Sequence, residues 1–156
     1  MKKLSSILLL MFSLCIIACD DTRVFEQHES IKDDNWYINQ KPTFYVEIND
    51  TTTSHNIYFN LRHTGLYRYS NLFVLMTIQG PKSTAETQRY EFKLAETDGK
   101  WLGSGLGDIY SNQIMVVEKI KFAKPGVYSF SFEQNMRDNP LAGIEDVGMR
   151  IEKAKE

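Results

Sequence analysis

The stretch VYSFSFE, residues 127–133, alternates aromatic residues with serines. In an extended chain successive side chains point to opposite faces, so Tyr128, Phe130 and Phe132 share one face and the serines share the other. Strict alternation of this kind is typical of a strand that buries one face only. The stretch therefore predicts a half-buried β-strand with a layer of aromatic side chains beneath it.

The same period of two recurs in PTFYVEIN (42–49), NIYFNLRH (56–63), YEFKLA (90–95) and DVGMRIEK (146–153). The stretch NLFVLMTIQG (71–80) instead has apolar residues on both faces, which predicts a central strand covered on both sides. QIMVVEKIKF (113–122) predicts another strand, with a bulge near Glu118. These runs together make strands, rather than long helices, the main elements of the chain.

Turn residues separate the runs at Asp50-Thr51, Gly80-Pro81, Asp98-Gly99 and Pro125-Gly126. Seven to nine short strands divided by turns are typical of an all-β domain in which two antiparallel sheets pack face to face. We therefore predict an antiparallel two-sheet β-sandwich, with one helical turn within NMRDNPLAGIED (135–146).

The N-terminal residues have the organisation of a secretory signal. Lys2 and Lys3 precede an apolar core of about fourteen residues, which is too short to cross a bilayer comfortably as a helix. The core ends at IIAC (16–19), which resembles the lipobox of bacterial lipoproteins. In that class the cysteine thiol takes a diacylglycerol and the peptide is cut before it, so the sequence predicts lipidation at Cys19.

These features divide the chain into three parts: a cleaved signal peptide (1–18), a lipidated N-terminus and tether with room for one edge strand (19–35), and a β-sandwich (36–156). The polar stretch DDTRVFEQHESIKDDN (20–35) suits a chain leaving a membrane surface, because the lipid holds the anchor. Acids directly after such a cysteine resemble an outer-leaflet export signal in Bacteroidota lipoproteins and an inner-membrane retention signal in enterobacteria. The acidic residues after Cys19 are therefore compatible with either destination.

Charge and cysteine count exclude several functional classes. Without Lys2, Lys3 and Cys15 of the signal, the chain has 16 basic residues against 20 acidic ones, and its one cysteine is Cys19. A formal charge of −4 argues against a nucleic-acid partner, which needs a clustered positive surface. A single cysteine excludes a disulfide framework and a cysteine metal site.

No motif for catalysis, a cofactor or a metal ion stands out. TDGKWLGSGLGDIY (97–110) spaces three glycines as G-x-G-x-G, which differs from the dinucleotide fingerprint, and a strand follows it instead of a helix. We expect a tight loop whose glycines have positive φ. His28, His55 and His63 lack metal-ligand spacing, and Asp98 and Asp108 match no calcium loop. The sequence thus predicts a non-enzymatic protein without a cofactor or metal.

Trp36 and Trp101 are the candidate interaction residues. Together with Tyr67, Tyr69 and Tyr110 they would form an exposed aromatic platform for sugars, or they would serve the core and staple loops to it, which is the more common role. The small neighbours of Trp101 allow its indole ring either to fold back on the sandwich or to face a partner.

Several segments resemble the gliding-motility lipoprotein GldH family of Bacteroidota. They are, in chain order, IIAC, FYVEIND, NLRHTGLYRYSNLFV, LAETDGKWLGSGLGDIY, PGVYSFSFEQNMR and LAGIEDVGMRIEK. They run from Cys19 to about Lys153, and WLGSGLGD (101–108) and QNMRDNPLAGIEDVGMRI (134–151) are the most specific. The resemblance implies an envelope lipoprotein associated with the surface gliding apparatus, in a family without an established enzymatic activity or cofactor.

We therefore expect a lipid-anchored, non-catalytic module of the cell envelope, at the outer membrane and facing the periplasm or the surface, that binds other gliding-type envelope proteins. The lipid would confine the domain to one membrane plane and raise its effective concentration for partners there. The alternative is a carbohydrate-binding envelope lipoprotein that uses Trp36 and Trp101. A hydrolase ranks third.

Overall fold

The computed structural model of the chain describes residues 21–155. Within that part, eleven strands and one short 3₁₀ turn (Lys32–Asp34) make up the regular structure. In chain order the strands are β1 (Arg23–Ser30), β2 (Asn35–Trp36), β3 (Thr43–Ile48), β4 (His55–Thr64), β5 (Asn71–Gln79), β6 (Glu86–Lys93), β7 (Ser104–Leu106), β8 (Ile109–Ile120), β9 (Gly126–Gln134), β10 (Leu141–Ala142) and β11 (Ile144–Lys153).

Nine of these strands form two antiparallel sheets that pack face to face. The larger sheet has the order β1-β11-β4-β8-β7 and the smaller has the order β3-β9-β5-β6, while β2 pairs with β10 alone. The predicted class, an all-β antiparallel two-sheet sandwich, is confirmed. The expected helical turn within residues 135–146 is wrong, because this segment instead contains bends, β10 and the start of β11.

The core lies between the sheets and is built from the alternating residues. Phe59 of β4 stacks on Phe92 of β6 with 4.9 Å between ring centroids, and it lies 5.1 Å from Phe132 of β9. The inward residues of β11, Val147 and Met149, are fully buried. Burying one such side chain contributes about 1.5–3 kcal/mol to the free energy of folding. The inward side chains of the two sheets are therefore the main apolar contribution to stability.

Two strands refine the expectations. β5 is central, as predicted, but its outer face is only half covered: Phe73 is partly exposed beneath the Arg89 guanidinium, 3.9 Å from the ring centroid. The bulge expected near Glu118 is confirmed, since the pairing of β4 with β8 shifts register between His55 and Ile57.

Residues 23–30, within the stretch 19–35 where the sequence left room for one edge strand, form the edge strand β1. β1 pairs antiparallel with β11 from Arg23 opposite Glu152 to Ser30 opposite Asp146. Alternation did not reveal this strand because only Phe25 reaches the core, 6.3 Å from the Phe44 ring, while the other side chains are exposed.

The register sorts the connections into two opposite ends of the sandwich. The lower end holds the start of β1, the end of β11 and the connections 49–54, 80–85 and 121–125. The upper end holds the longer connections 31–42, 65–70, 94–103 and 135–143. β4 runs between the ends for ten residues, which places them about 30 Å apart.

Among residues 21–155, no helix has the length and apolar character needed to cross a membrane.

Candidate interaction site at the upper end

Three connections meet at the upper end and are joined by backbone hydrogen bonds. The Thr64 N–H donates to the Gly143 carbonyl at 2.9 Å, and the Leu94 N–H donates to the Ser70 carbonyl at 2.7 Å. The Gly65 N–H donates to the Asp108 carbonyl at 2.9 Å. Parts of the segments that resemble the family, around residues 61–70, 94–110 and 134–146, therefore lie side by side at this end.

An aromatic cluster fills the space beneath this surface; its members are His63, Tyr67, Tyr69, Trp101 and Tyr110. The His63 ring lies at the centre, 4.5 Å from Trp101 and 5.5 Å from both Tyr67 and Tyr110 between centroids. Trp101 is half-buried, and its ring folds back on the sandwich. The arrangement joins two connections and the start of β8 to the end of β4.

The position of Trp101 follows from a tight turn before it. Asp98 accepts a hydrogen bond from the Lys100 N–H at 3.0 Å, and Gly99 takes a φ of 86° that favours glycine. The chain then reverses, so that Trp101 forms an isolated bridge with Ala95 and the Leu102 N–H donates to the Leu94 carbonyl. Asp98 therefore shapes the turn that presents the indole ring to His63.

The glycine-rich segment is less uniform than expected. Gly99 and Gly107 have positive φ, but the expectation is wrong for Gly103 and Gly105, which lie before and within β7. These two serve close approach instead. A Cβ on Gly105 would overlap the Ile109 carbonyl, and one on Gly103 would lie 2.8 Å from the side-chain nitrogen of Asn112.

Trp36 does not belong to an accessible platform. It is fully buried, and its indole N–H donates to the Gln40 carbonyl at 2.9 Å. Pairing of β2 with β10 sets Trp36 opposite Leu141, beneath the connections of the upper end. Of the two roles considered for Trp36, its burial fits the core role, because a pairing across more than a hundred residues of sequence closes over it.

Two leucines that the sequence analysis missed are the most exposed apolar residues near the aromatic cluster. Leu66 is 79% exposed and Leu102 is 47% exposed, although each directly adjoins a ring of the cluster in sequence. Tyr37 and Ile38 add exposed apolar area on a neighbouring connection. An available signal was leucine within short polar and glycine-containing turns, where no strand pattern requires it.

The environment favours the uncharged forms of His63, Tyr67 and Tyr69 in the aromatic cluster. The Nδ1 atom of His63 lies 3.0 Å from the Thr64 carbonyl, and its buried Nε2 has no partner among residues 21–155. Burial lowers the pKa of His63 because the imidazolium would lose its hydration. Burial raises the pKa of Tyr67, and a 2.6 Å hydrogen bond to Asp138 raises the pKa of Tyr69.

A second feature, the outer polar cleft, lies on the exposed face of the larger sheet. Its volume is about 300 Å³, and its polar side chains include Glu26, His28, Asn60, Arg62, Ser104, Ser111 and Gln113. Asp146, 1% exposed, anchors the network: it pairs with Arg62 and lies 3.2 Å from Nδ1 of His28. The hydrogen bond to Asp146 raises the pKa of Arg62.

The histidines and aspartates considered as metal ligands do not form a metal-binding group in the described part of the chain. Within residues 21–155, no group of three or more His, Cys, Asp or Glu side chains is placed to hold a metal ion. Asp98 shapes its turn, and Asp108 accepts the Gly65 hydrogen bond through its carbonyl. The predicted lipidation site, Cys19, lies outside the described residues.

Comparison with known proteins gives a consistent family. The family model described as GldH lipoprotein matches residues 23–151. A protein of Christiangramia forsetii named gliding motility lipoprotein GldH homolog is 33% identical over 162 aligned residues, which cover 99% of both chains. The gliding motility lipoprotein GldH of Flavobacterium johnsoniae is 31% identical over 160 residues, covering 98% of this chain and 99% of the relative. The chain belongs to the GldH lipoprotein family.

Proposed function

We propose that this protein is a lipid-anchored, non-catalytic module of a gliding-type envelope apparatus, and that it binds another envelope protein through its upper end. The observation that carries the proposal is the exposed pair Leu66 and Leu102 above the aromatic cluster. Exposed apolar residues above packed aromatic rings favour a protein partner, because aromatic and apolar anchors dominate such interfaces.

The position of the N-terminus supports this division of roles. The Lys153 N–H donates to the Thr22 carbonyl at 2.8 Å, so the chain is joined to the sheet three residues after Cys19. A lipid on Cys19 would hold the lower end at the membrane and leave the upper end about 30 Å away. The names of the two relatives support a gliding setting, and we place the anchor at the outer membrane.

The anchor is tested by Cys19→Ser. The variant should accumulate as an uncleaved or soluble precursor and should not incorporate labelled palmitate, because serine offers no thiol for the thioether. Ala substitution of Cys15, inside the signal, is the matched control and should leave labelling unchanged. A serine variant that still carries label and still partitions into detergent would contradict the proposal.

The interface is tested by Leu66→Asp and Leu102→Asp in the full chain. Because both side chains are exposed, each variant should melt within a few degrees of wild type. Each should recover much less of the envelope partner in a crosslinking pull-down, because loss of a 2 kcal/mol anchor weakens binding roughly 30-fold. Val127→Asp, at an exposed apolar position of the lower end, is the control. Retention of the same partner by both leucine variants would contradict the proposal.

A carbohydrate ligand is the second candidate, and the outer polar cleft rather than the tryptophans favours it. Asn60 is 4% exposed, its Oδ1 has no partner among residues 21–155, and it lines the cleft beside the half-exposed guanidinium of Arg62. A buried acceptor without a partner next to donors suits a hydroxyl-rich ligand. A glycan array should show binding that Gln113→Leu weakens and that Gln88→Leu, on the other sheet, preserves. An array without any signal removes this candidate.

A further inference from the structure

Lysines are concentrated at the lower end of the sandwich. Six of the ten lysines in residues 21–155 lie there: Lys82, Lys119, Lys121, Lys124, Lys153 and Lys155. All six are exposed, and none has an ion-pair partner among the described residues. Unpaired ammonium groups that come from two connections and the ends of two strands form a surface suited to an anionic partner.

Acidic residues also lie at the lower end: Asp21, Glu47, Asp50, Glu86, Glu118 and Glu152. Two of them have partners there, since Asp50 accepts hydrogen bonds from Thr52 and Thr53, which lower its pKa, and Glu152 pairs with Arg150. The connections 80–85 and 121–125 carry Lys82, Lys121 and Lys124 and no acidic residue. The positive charge is therefore concentrated at the tips of these two connections.

An apolar groove of about 350 Å³ separates these two connections. Its walls include Ile78, Pro81, Ile120, Phe122, Ala123 and Tyr128, and Lys121 and Lys124 stand on its rim beside Glu86. The Tyr128 hydroxyl donates to the Lys124 carbonyl at 2.9 Å, which fixes one wall. The groove thus combines an apolar floor with lysines that keep their charge in water while their methylene stems cover the walls.

Covalent geometry places this end close to the anchor. Thr22 is hydrogen-bonded to the end of β11, and Cys19 lies three residues before it. Three extended residues reach at most about 11 Å, so a lipid on Cys19 leaves the lower end little distance from the headgroups. Because this tether is short, the lysines are at a high effective concentration near the membrane surface.

We propose that the lower end docks on a membrane surface that bears anionic phospholipid headgroups. Lys121 and Lys124, with Lys82 and Lys119 beside them, bind the headgroup phosphates, and the apolar groove receives the boundary between headgroup and acyl chain. The docked state fixes the orientation of the domain, with its upper end pointing away from the bilayer. The inference rests on the proposed lipidation of Cys19.

The test uses the mature protein purified from membranes and reconstituted into vesicles of phosphatidylcholine, with or without phosphatidylglycerol. An amine-reactive reagent then labels the lysines, and mass spectrometry gives the rate for each peptide. Each lysine near an anionic surface adds about fivefold to the binding constant. Labelling of Lys121 and Lys124 should therefore slow by at least about fivefold when phosphatidylglycerol is present. Lys32 and Lys100, at the upper end, should label equally in both vesicles.

The double reversal Lys121→Glu/Lys124→Glu should remove this protection from the neighbouring Lys119, whereas Lys32→Glu/Lys100→Glu should preserve it. Equal labelling rates in the two kinds of vesicle, or slowing that is just as large at Lys32 and Lys100, would overturn the proposal. Failure of the anchor has a separate sign: a protein without the lipid does not float with vesicles of phosphatidylcholine alone.

Discussion

The two ends of the sandwich differ in architecture and in charge. The upper end carries long connections packed on buried aromatic rings, with apolar residues exposed above them. The lower end carries short connections, the start of β1 and most of the lysines. Both ends belong to the same strands, so one regular sandwich supplies two unlike surfaces about 30 Å apart. A domain held at one end can thus recognise a partner with the other.

Trp36→Ala should have the largest effect, because it would remove the deepest ring beneath the connections of the upper end. Trp36 is fully buried, and loss of such a ring costs about 3–5 kcal/mol. Urea unfolding of the variant measures the loss directly. A cost below 1 kcal/mol would show that the upper end does not depend on its buried layer, and the contrast between the ends would then rest on charge alone.

Gly143→Ala should be the next largest, and Gly99→Ala is its matched control. Both glycines have a φ near 85°, which costs an alanine about 1–2 kcal/mol. A Cβ on Gly143 would also lie 2.7 Å from the Tyr67 nitrogen, whereas a Cβ on Gly99 would meet nothing within 4 Å. Overlap adds about 1–3 kcal/mol, so we expect a total loss of about 2–5 kcal/mol for Gly143→Ala.

The difference between the two alanine variants measures how tightly the connections of the upper end are packed. Thermal melting of both proteins at one pH gives this difference. Equal melting temperatures would mean that the Tyr67 backbone moves aside without cost.

Trp101→Ala separates packing from recognition at the upper end. The ring is half-buried against His63 and Tyr110, so its removal should cost about 2–3 kcal/mol, less than a fully buried tryptophan. Leu102→Ala, at the exposed neighbour, should change stability by less than about 0.5 kcal/mol. If Trp101→Ala melted like wild type and lost the envelope partner, the ring would be an interface residue instead of a staple.

The smallest expected effect is the pH dependence of stability that arises from one buried histidine at each end of β4. Burial lowers the pKa of both His55 and His63 from the ordinary histidine value of about 6.5. As the pH falls below about 6.5, these histidines therefore bind more protons in the unfolded chain than in the folded one. Stability should therefore be complete above pH 6.5 and decline as the pH falls, by at most about 1.4 kcal/mol per pH unit for each histidine.

The two ends should differ in this pH dependence. At the lower end the charge of Asp50 partly offsets the burial of His55, whereas only a backbone hydrogen bond opposes it at His63. Urea unfolding between pH 5 and pH 7.5 should show a flatter profile in His63→Phe than in His55→Phe. A steeper slope for the His63 variant would reverse the comparison.

Sequence patterns predicted the regular strands well because their alternation is local. VYSFSFE became β9 with Tyr128, Phe130 and Phe132 buried, and the inward residues of β11 were likewise evident from a period of two. The sequence left room for an edge strand within residues 19–35 but did not locate β1, because one apolar contact, through Phe25, leaves no period to detect. Alternation of apolar and polar residues marks strands that bury one face, so it does not detect an edge strand whose side chains are mostly exposed.

The candidate site was harder to predict because it depends on contacts between distant segments. Trp36 is buried by β10, and no pattern near residue 36 encodes that pairing. The glycine-rich segment was recognised as a turn, but the need for Gly105 arises from the carbonyl of Ile109 across a hairpin. Leu66 and Leu102 lie in turns where no strand pattern requires a leucine, but only the closed fold shows that they are exposed above the aromatic cluster.

The antiparallel pairing of β1 with β11 has a mechanical consequence. If a lipid holds the start of β1 and a partner pulls on the upper end, tension acts along the axes of these strands. The hydrogen bonds that join residues 23–30 to the facing strand lie across that direction. They therefore share the load, and all of them must break at the same time before β1 can slide past β11. A domain joined to its anchor in this shear geometry withstands a much larger force than one whose first strand could be peeled from the end of the ladder.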